Sequence, residues 1–120
     1  MSDVLVVDDA PDIRLLARLL LEKGGHQVTE AGTAEEALLV MASHRPDVLL
    51  LDIQLPGTDG WELLQDLRAK EWLDRTQVVL FSAHVDPREF RRAEQEGASG
   101  YLVKPFTAEQ LLDSVRKAVG

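Results

Sequence analysis

Residues 4–9 read VLVVDD: four apolar residues, three of them valine, running directly into the adjacent carboxylates Asp8 and Asp9. A short, continuously apolar run has the composition of a strand buried on both faces. The end of such a strand is a poor place to solvate two neighbouring negative charges. Working outward from this run, further short apolar runs fall at residues 28–31, 48–51, 78–81 and 101–103. Helical spacing occupies residues 11–23, 33–44, 61–70, 87–96 and 107–119. Pro11 suits a first helical turn, Gly24 and Gly25 follow that helix, and Thr33 and Thr107 stand three residues ahead of Glu36 and Gln110 in capping-box register. Strand and helix therefore alternate five times. Right-handed crossovers then place helices on both faces of a parallel sheet, and the fold class is α/β, doubly wound.

Composition narrows the function. The chain has 120 residues, is 45% hydrophobic and carries a formal charge of −8, with 21 acidic against 13 basic residues. This is one domain's worth of chain, able to bury roughly two thirds of its unfolded surface. Its charge repels phosphate backbones and anionic lipid, which argues against nucleic-acid and membrane partners. There is no cysteine, hence no disulfide, thiolate ligand or thiol nucleophile. The opening residues MSDVLVV lack the basic start and long apolar stretch of a signal peptide, and no run is long enough to span a bilayer. The reading is cytoplasmic.

In doubly wound sheets, ligands bind beyond the carboxyl ends of the strands. The residues following those ends are Asp8 and Asp9, then Asp52, Ser82 and Lys104. Three carboxylates converging on one crevice raise one another's proton affinity unless a cation offsets the repulsion. Oxygen donors with no histidine or cysteine beside them favour a hard divalent ion, Mg2+, with Mn2+ as its analogue, in a site that keeps waters and an open position. Lys104 and Ser82 would supply a point charge and a hydroxyl donor for the oxygens of a phosphoryl group, and one carboxylate could take that group as an acyl phosphate.

Four motifs in this order, VLVVDD (4–9), LLLDIQLPGTDG (49–60), VVLFSAH (78–84) and GYLVKPF (100–106), give the chain a resemblance over essentially its whole length. It resembles the receiver domain of bacterial two-component response regulators and is similar to their single-domain chemotaxis-type members. The resemblance implies a flavodoxin-like sheet of five strands in the order 2-1-3-4-5 with five helices, residues 1–120 forming one receiver domain. It implies that Asp52 accepts a phosphoryl group from a phosphohistidine of a sensor histidine kinase or phosphotransfer protein. Asp9, Asp52 and the Gln54 backbone carbonyl would bind Mg2+ directly, and Asp8 mainly through water. Ser82 would hydrogen-bond the phosphoryl oxygens, Lys104 would pair with them, and Tyr101 would turn inward as the hydroxyl residue moves. The peptide before Pro105 would be cis, and Gln54 and His84 would occupy positions that tune the acyl-phosphate lifetime. The output would be a changed surface on the fourth helix, fifth strand and fifth helix, offered to a downstream effector or output domain. The chain would catalyse only its own phosphorylation and dephosphorylation, as a monomer or a phosphorylation-dependent dimer.

Plainer readings stand beside these. Asp9 could cap the first helix, Asp52 could form a turn, Ser82 could cap the fourth helix, Lys104 could be a solvated side chain and Tyr101 a packing aromatic. The charges in residues 88–96 read as a wet helix face. Two other classes share the topology: a Mg2+ phosphatase with an aspartate nucleophile, and a flavin or nucleotide carrier, although no phosphate-binding loop is present and Asp8 and Asp9 would repel a phosphate. A receiver excised from a longer regulator is a third possibility, and a non-phosphorylated receiver-like module that signals by binding alone is a fourth. Finally, if Ile13, Leu16, Ala17 and Leu20 face the sheet, Leu15 and Leu19 point away from it and form a candidate docking patch.

Overall fold

The computed structural model describes residues 2–83 and 86–120. Among these, five strands alternate with five helices: β1 (Asp3–Val7), α1 (Pro11–Lys23), β2 (Gln27–Ala31), α2 (Ala34–Ser43), β3 (Val48–Asp52), α3 (Gly60–Ala69), β4 (Gln77–Ser82), α4 (Pro87–Gln95), β5 (Gly100–Val103) and α5 (Ala108–Val119). All four strand pairings are parallel. The sheet order is β2-β1-β3-β4-β5, as the resemblance implies.

The period of two along each strand divides the core into two layers. Leu5, Val7, Leu49, Leu51, Val78 and Leu80 pack on one face against α2, α3 and Ala93 of α4. Val4, Val6, Leu50, Val79, Phe81 and Leu102 pack on the other, against Ala17 and Leu21 of α1 and Leu111 and Val115 of α5. Every residue of β3 is buried, which is why its sequence VLLLD shows no alternation.

The cap signals hold at both threonines. Thr33 Oγ1 accepts from the Glu36 amide, and Thr107 and Gln110 form a full capping box. The orientation of α1 differs from the sequence-based expectation. Ala17 and Leu21 are its buried residues, so the helix is rotated toward Leu21, and Leu16 is 44% exposed rather than facing the sheet. Leu15 and Leu19 are exposed at 52% and 56%.

The attachment of α4 is thin. Ala93 is its one buried residue among those described. Polar and aromatic contacts supply the rest: the Tyr101 hydroxyl donates to Glu89 at 2.9 Å, the rings of Phe90 and Tyr101 lie 4.3 Å apart, and the Arg92 guanidinium sits 4.4 Å above the Trp61 ring. Three of the charges read as a wet helix face therefore make contacts to other elements: Glu89, Arg92 and Glu96, the last lying 3.8 Å from Arg68 of α3. No helix among the described residues is long and apolar enough to cross a membrane.

Candidate functional site

Strand register assembles the site. Val7 pairs with Leu51, so Asp8 and Asp52 follow side by side on adjacent central strands. Ser82 pairs with Val103, and the Lys104 amide donates to the Ser82 carbonyl at 2.8 Å. Parity then sorts the side chains. Asp8, Asp52 and Lys104 continue the positions of Val6, Leu50 and Leu102, on the α1 and α5 side of the sheet, whereas Ser82 continues Leu80 toward α4.

The result is an acid cluster with one cation at its centre. Oxygens of Asp8, Asp9 and Asp52 all lie within 4.8 Å of one another. Asp8 and Asp52 are buried and Asp9 is exposed. Lys104 Nζ lies 2.5 Å from Asp8 Oδ2 and 3.2 Å from Asp52 Oδ2, with its side chain only 18% exposed. The solvated-lysine reading is thereby excluded. Burial pushes the Asp52 carboxyl above the usual aspartate range, against the pull of the Gln54 amide and the Lys104 charge, and the neighbouring Asp8 adds to the rise. Burial also works against the Lys104 ammonium, but its hydrogen bond to Asp8 and the charges of Asp52 and Asp8 together hold it above the usual lysine value.

Local hydrogen bonds aim the carboxylates. Asp8 Oδ1 accepts from the Ala10 amide at 2.9 Å, and Asp52 Oδ1 accepts from the Gln54 amide at 2.8 Å, leaving the Oδ2 atoms toward Lys104. Asp52 thus forms a turn contact and belongs to the cluster at once. Asp9 does not cap α1, because the N-cap is Ala10 without a side-chain bond. Ser82 does not cap α4, whose N-cap is Asp86. Ser82 is fully buried as the last residue of β4, and Asp52 likewise ends β3 rather than following it. Tyr101 packs on Phe90 and bonds Glu89; burial, opposed by a hydrogen bond with Ser82, leaves its hydroxyl less acidic than usual. The Lys104–Pro105 peptide is cis. His84 lies outside the described residues.

The donor set suits a hard cation: three carboxylates carry more negative charge than Lys104 offsets, and no nitrogen or sulfur ligand joins them among the described residues.

Gly60 braces the turn after Asp52. Its amide donates to the Ile53 carbonyl at 3.0 Å, and a Cβ there would stand 2.4 Å from Ile53 Cα and 2.6 Å from the Asp52 carbonyl oxygen. These are backbone atoms, which cannot move aside as a side-chain tip can. Gly60→Ala is expected to cost about 1–3 kcal/mol, the usual scale of overpacking, read as a lower urea midpoint with an unchanged slope.

Sequence reasoning overlooked three residues that brace the acid pair from below: Arg14, Glu30 and Gly32. Arg14 Nη1 donates to the Asp8 carbonyl at 2.6 Å and its Nε to Glu30 at 3.2 Å. Only the three-dimensional pairing of β1 with β2 brings them together.

A parallel sheet of this order carries three acids and a lysine at its carboxyl edge, and comparison with known proteins gives that arrangement a class. The model of the response regulator receiver domain family matches residues 4–116, and the chain belongs to that family. It is 39% identical to the sensory/regulatory protein RpfC of Xanthomonas campestris, over 93% of this chain and 16% of that protein. It is 40% identical to the transcriptional regulatory protein KdpE of Mycobacterium tuberculosis, over 99% of this chain and 51% of that one. It therefore spans from a sixth to about half of the length of these relatives. Among solved structures, the chemotaxis response regulator CheY4 of Vibrio cholerae superposes with a TM-score of 0.91 at 30% identity, covering 98% of both chains. The chain is a receiver domain of the two-component type, a signalling domain, and neither the phosphatase nor the carrier reading is favoured.

Proposed function

We propose that Asp52 accepts a phosphoryl group from a phosphohistidine of a sensor histidine kinase or phosphotransfer protein. The observation that carries this reading is the Lys104 ammonium bridging Asp8 and Asp52. It supplies a fixed positive charge beside the one carboxylate of the cluster that is both buried and at the end of the central strand. In the transfer, an Asp52 carboxylate oxygen forms the new bond to phosphorus as the nitrogen–phosphorus bond breaks, and the electron pair leaves with the donor imidazole. Lys104 then pairs with the phosphoryl oxygens, and the Ser82 hydroxyl donates to them. Asp9, Asp52 and the Gln54 carbonyl are the residues that would hold Mg2+, or Mn2+ in its place, with Asp8 acting mainly through water. When bound, the ion neutralises charge on the acids and on the transferring group.

Tyr101 is the proposed relay from Ser82 to α4, and the faces of α4, β5 and α5 are the output surface. The thin attachment of α4 supports this role, since switching needs only a few kcal/mol between states. In this reading residues 1–120 form one receiver domain that acts in the cytoplasm, catalyses only its own phosphorylation and dephosphorylation, engages an effector or output domain, and is a monomer or a phosphorylation-dependent dimer. The test is intact mass after incubation with acetyl phosphate and Mg2+. A labile gain of one phosphoryl group, lost with a chelator, is expected; no gain from a folded protein under any divalent metal would overturn the assignment.

The exposed leucines of α1 fit a docking patch for the donor. Leu15→Glu with Leu19→Glu is expected to slow phosphotransfer from a cognate kinase by about tenfold or more, the effect of losing a small apolar contact area. Uptake from acetyl phosphate should be unaltered; equal kinase rates for both proteins would refute the patch.

A further inference from the structure

The backbone of Asp8 is held at both ends. Its amide donates to the Ala31 carbonyl at the end of β2 at 3.1 Å, and its carbonyl accepts from Arg14 Nη1 at 2.6 Å. That carbonyl belongs to the peptide joining Asp8 to Asp9, so Arg14 fixes the plane from which Asp9 departs. Arg14 is itself held by Glu30 at 3.2 Å, and Glu30 also accepts from Arg18 at 2.9 Å. Gly32 lies against the guanidinium: a Cβ there would stand 2.8 Å from Arg14 Nη1 and press on the tip of that side chain.

We propose that Arg14, seated by Glu30 and Gly32, is a positioning residue that holds the Asp8–Asp9 turn in the geometry that binds the divalent cation. The proposal rests on the metal reading of the acid cluster. Charge alone would give Arg14 the opposite effect, since a cation beside the acids repels Mg2+. Removing it would then tighten metal binding. The positioning role requires removal to loosen it, as loss of residues that orient metal ligands commonly does by about 10–100-fold. The sign of the change separates the two accounts.

The experiment is a Mg2+ titration of the 15N-labelled full chain followed by amide shifts, which report the dissociation constant and the integrity of the fold in one spectrum. Arg14→Met and Arg14→Lys are expected to raise the dissociation constant about tenfold, the second because an ammonium cannot reach both the Asp8 carbonyl and Glu30. Gly32→Ala, which leaves every charge in place and meets only the tip of the Arg14 side chain, should raise it by less. Arg18→Met, which removes the other partner of Glu30, should leave it unchanged. Unaltered or tighter Mg2+ binding by folded Arg14→Met overturns the proposal, and if that variant does not fold, unaltered binding by Arg14→Lys does. A parent protein that binds no Mg2+ removes the metal reading itself, a distinct result.

Discussion

With Asp52 replaced by asparagine, the intact mass is expected to stay unchanged after incubation with acetyl phosphate and Mg2+, where the parent gains one phosphoryl group. The carboxamide keeps an oxygen to accept from the Gln54 amide, so the turn at residues 52–54 survives, but it has no anionic oxygen to attack phosphorus. Stability should move the other way. Because burial raises the Asp52 carboxyl above its unfolded-state value, ionising it disfavours the folded state. The penalty is absent below the unfolded-state value, grows as pH rises through the folded one, and is complete above it. Asp52→Asn removes it, so the variant should melt higher than the parent at neutral pH in a chelator, and the gap should close on acidification. A phosphorylated Asp52→Asn protein would move the acceptor elsewhere in the cluster.

Lys104→Met has the largest expected effect on stability. The Lys104 value is raised by folding, so its contribution is present in full at neutral pH, well below the unfolded lysine value, and is lost only as pH climbs through the folded one. Deleting the ammonium leaves Asp8 and Asp52 buried without their shared cation. Removing one partner of a buried pair costs about 3–5 kcal/mol; the open, exposed flank at Asp9 argues for the lower end, about 3 kcal/mol, measured by urea unfolding at pH 7. The deficit should shrink as acid protonates the carboxyls, and Mg2+ should restore part of it by binding the folded state alone. Unchanged stability would show that the lysine is not what compensates the acids.

The sequence carried the outline because four of the five strand ends announce themselves chemically. Runs of apolar residues stop at Asp8, Asp52, Ser82 and Lys104, and the capping threonines mark two helix starts. Boundaries were harder where a polar residue is drawn into the sheet. Asp52 and Ser82 each terminate a strand as its last member, because a parallel ladder continues for as long as its neighbour offers a partner, whatever the side chain. Periodicity also left the rotation of α1 open: Leu16 and Leu21 are both leucines, and only packing decides that Leu21 is the buried one. Glu89 and Arg92 look like solvated charges in one dimension because their partners, Tyr101 and Trp61, lie on other elements. Arg14, Glu30 and Gly32 escaped for the same reason.

The slender hold on α4 separates two properties that are usually bound together. Improvements to the layer beneath α1 and α5 raise the cost of global unfolding without touching the Glu89, Phe90 and Arg92 contacts of α4, whose partners Tyr101 and Trp61 belong to the opposite face. If α4 is the output element, as proposed, a heat-resistant version of this chain built by filling that layer would keep its responsiveness. One stiffened at α4 would gain little melting temperature and, on the same reading, lose its signal.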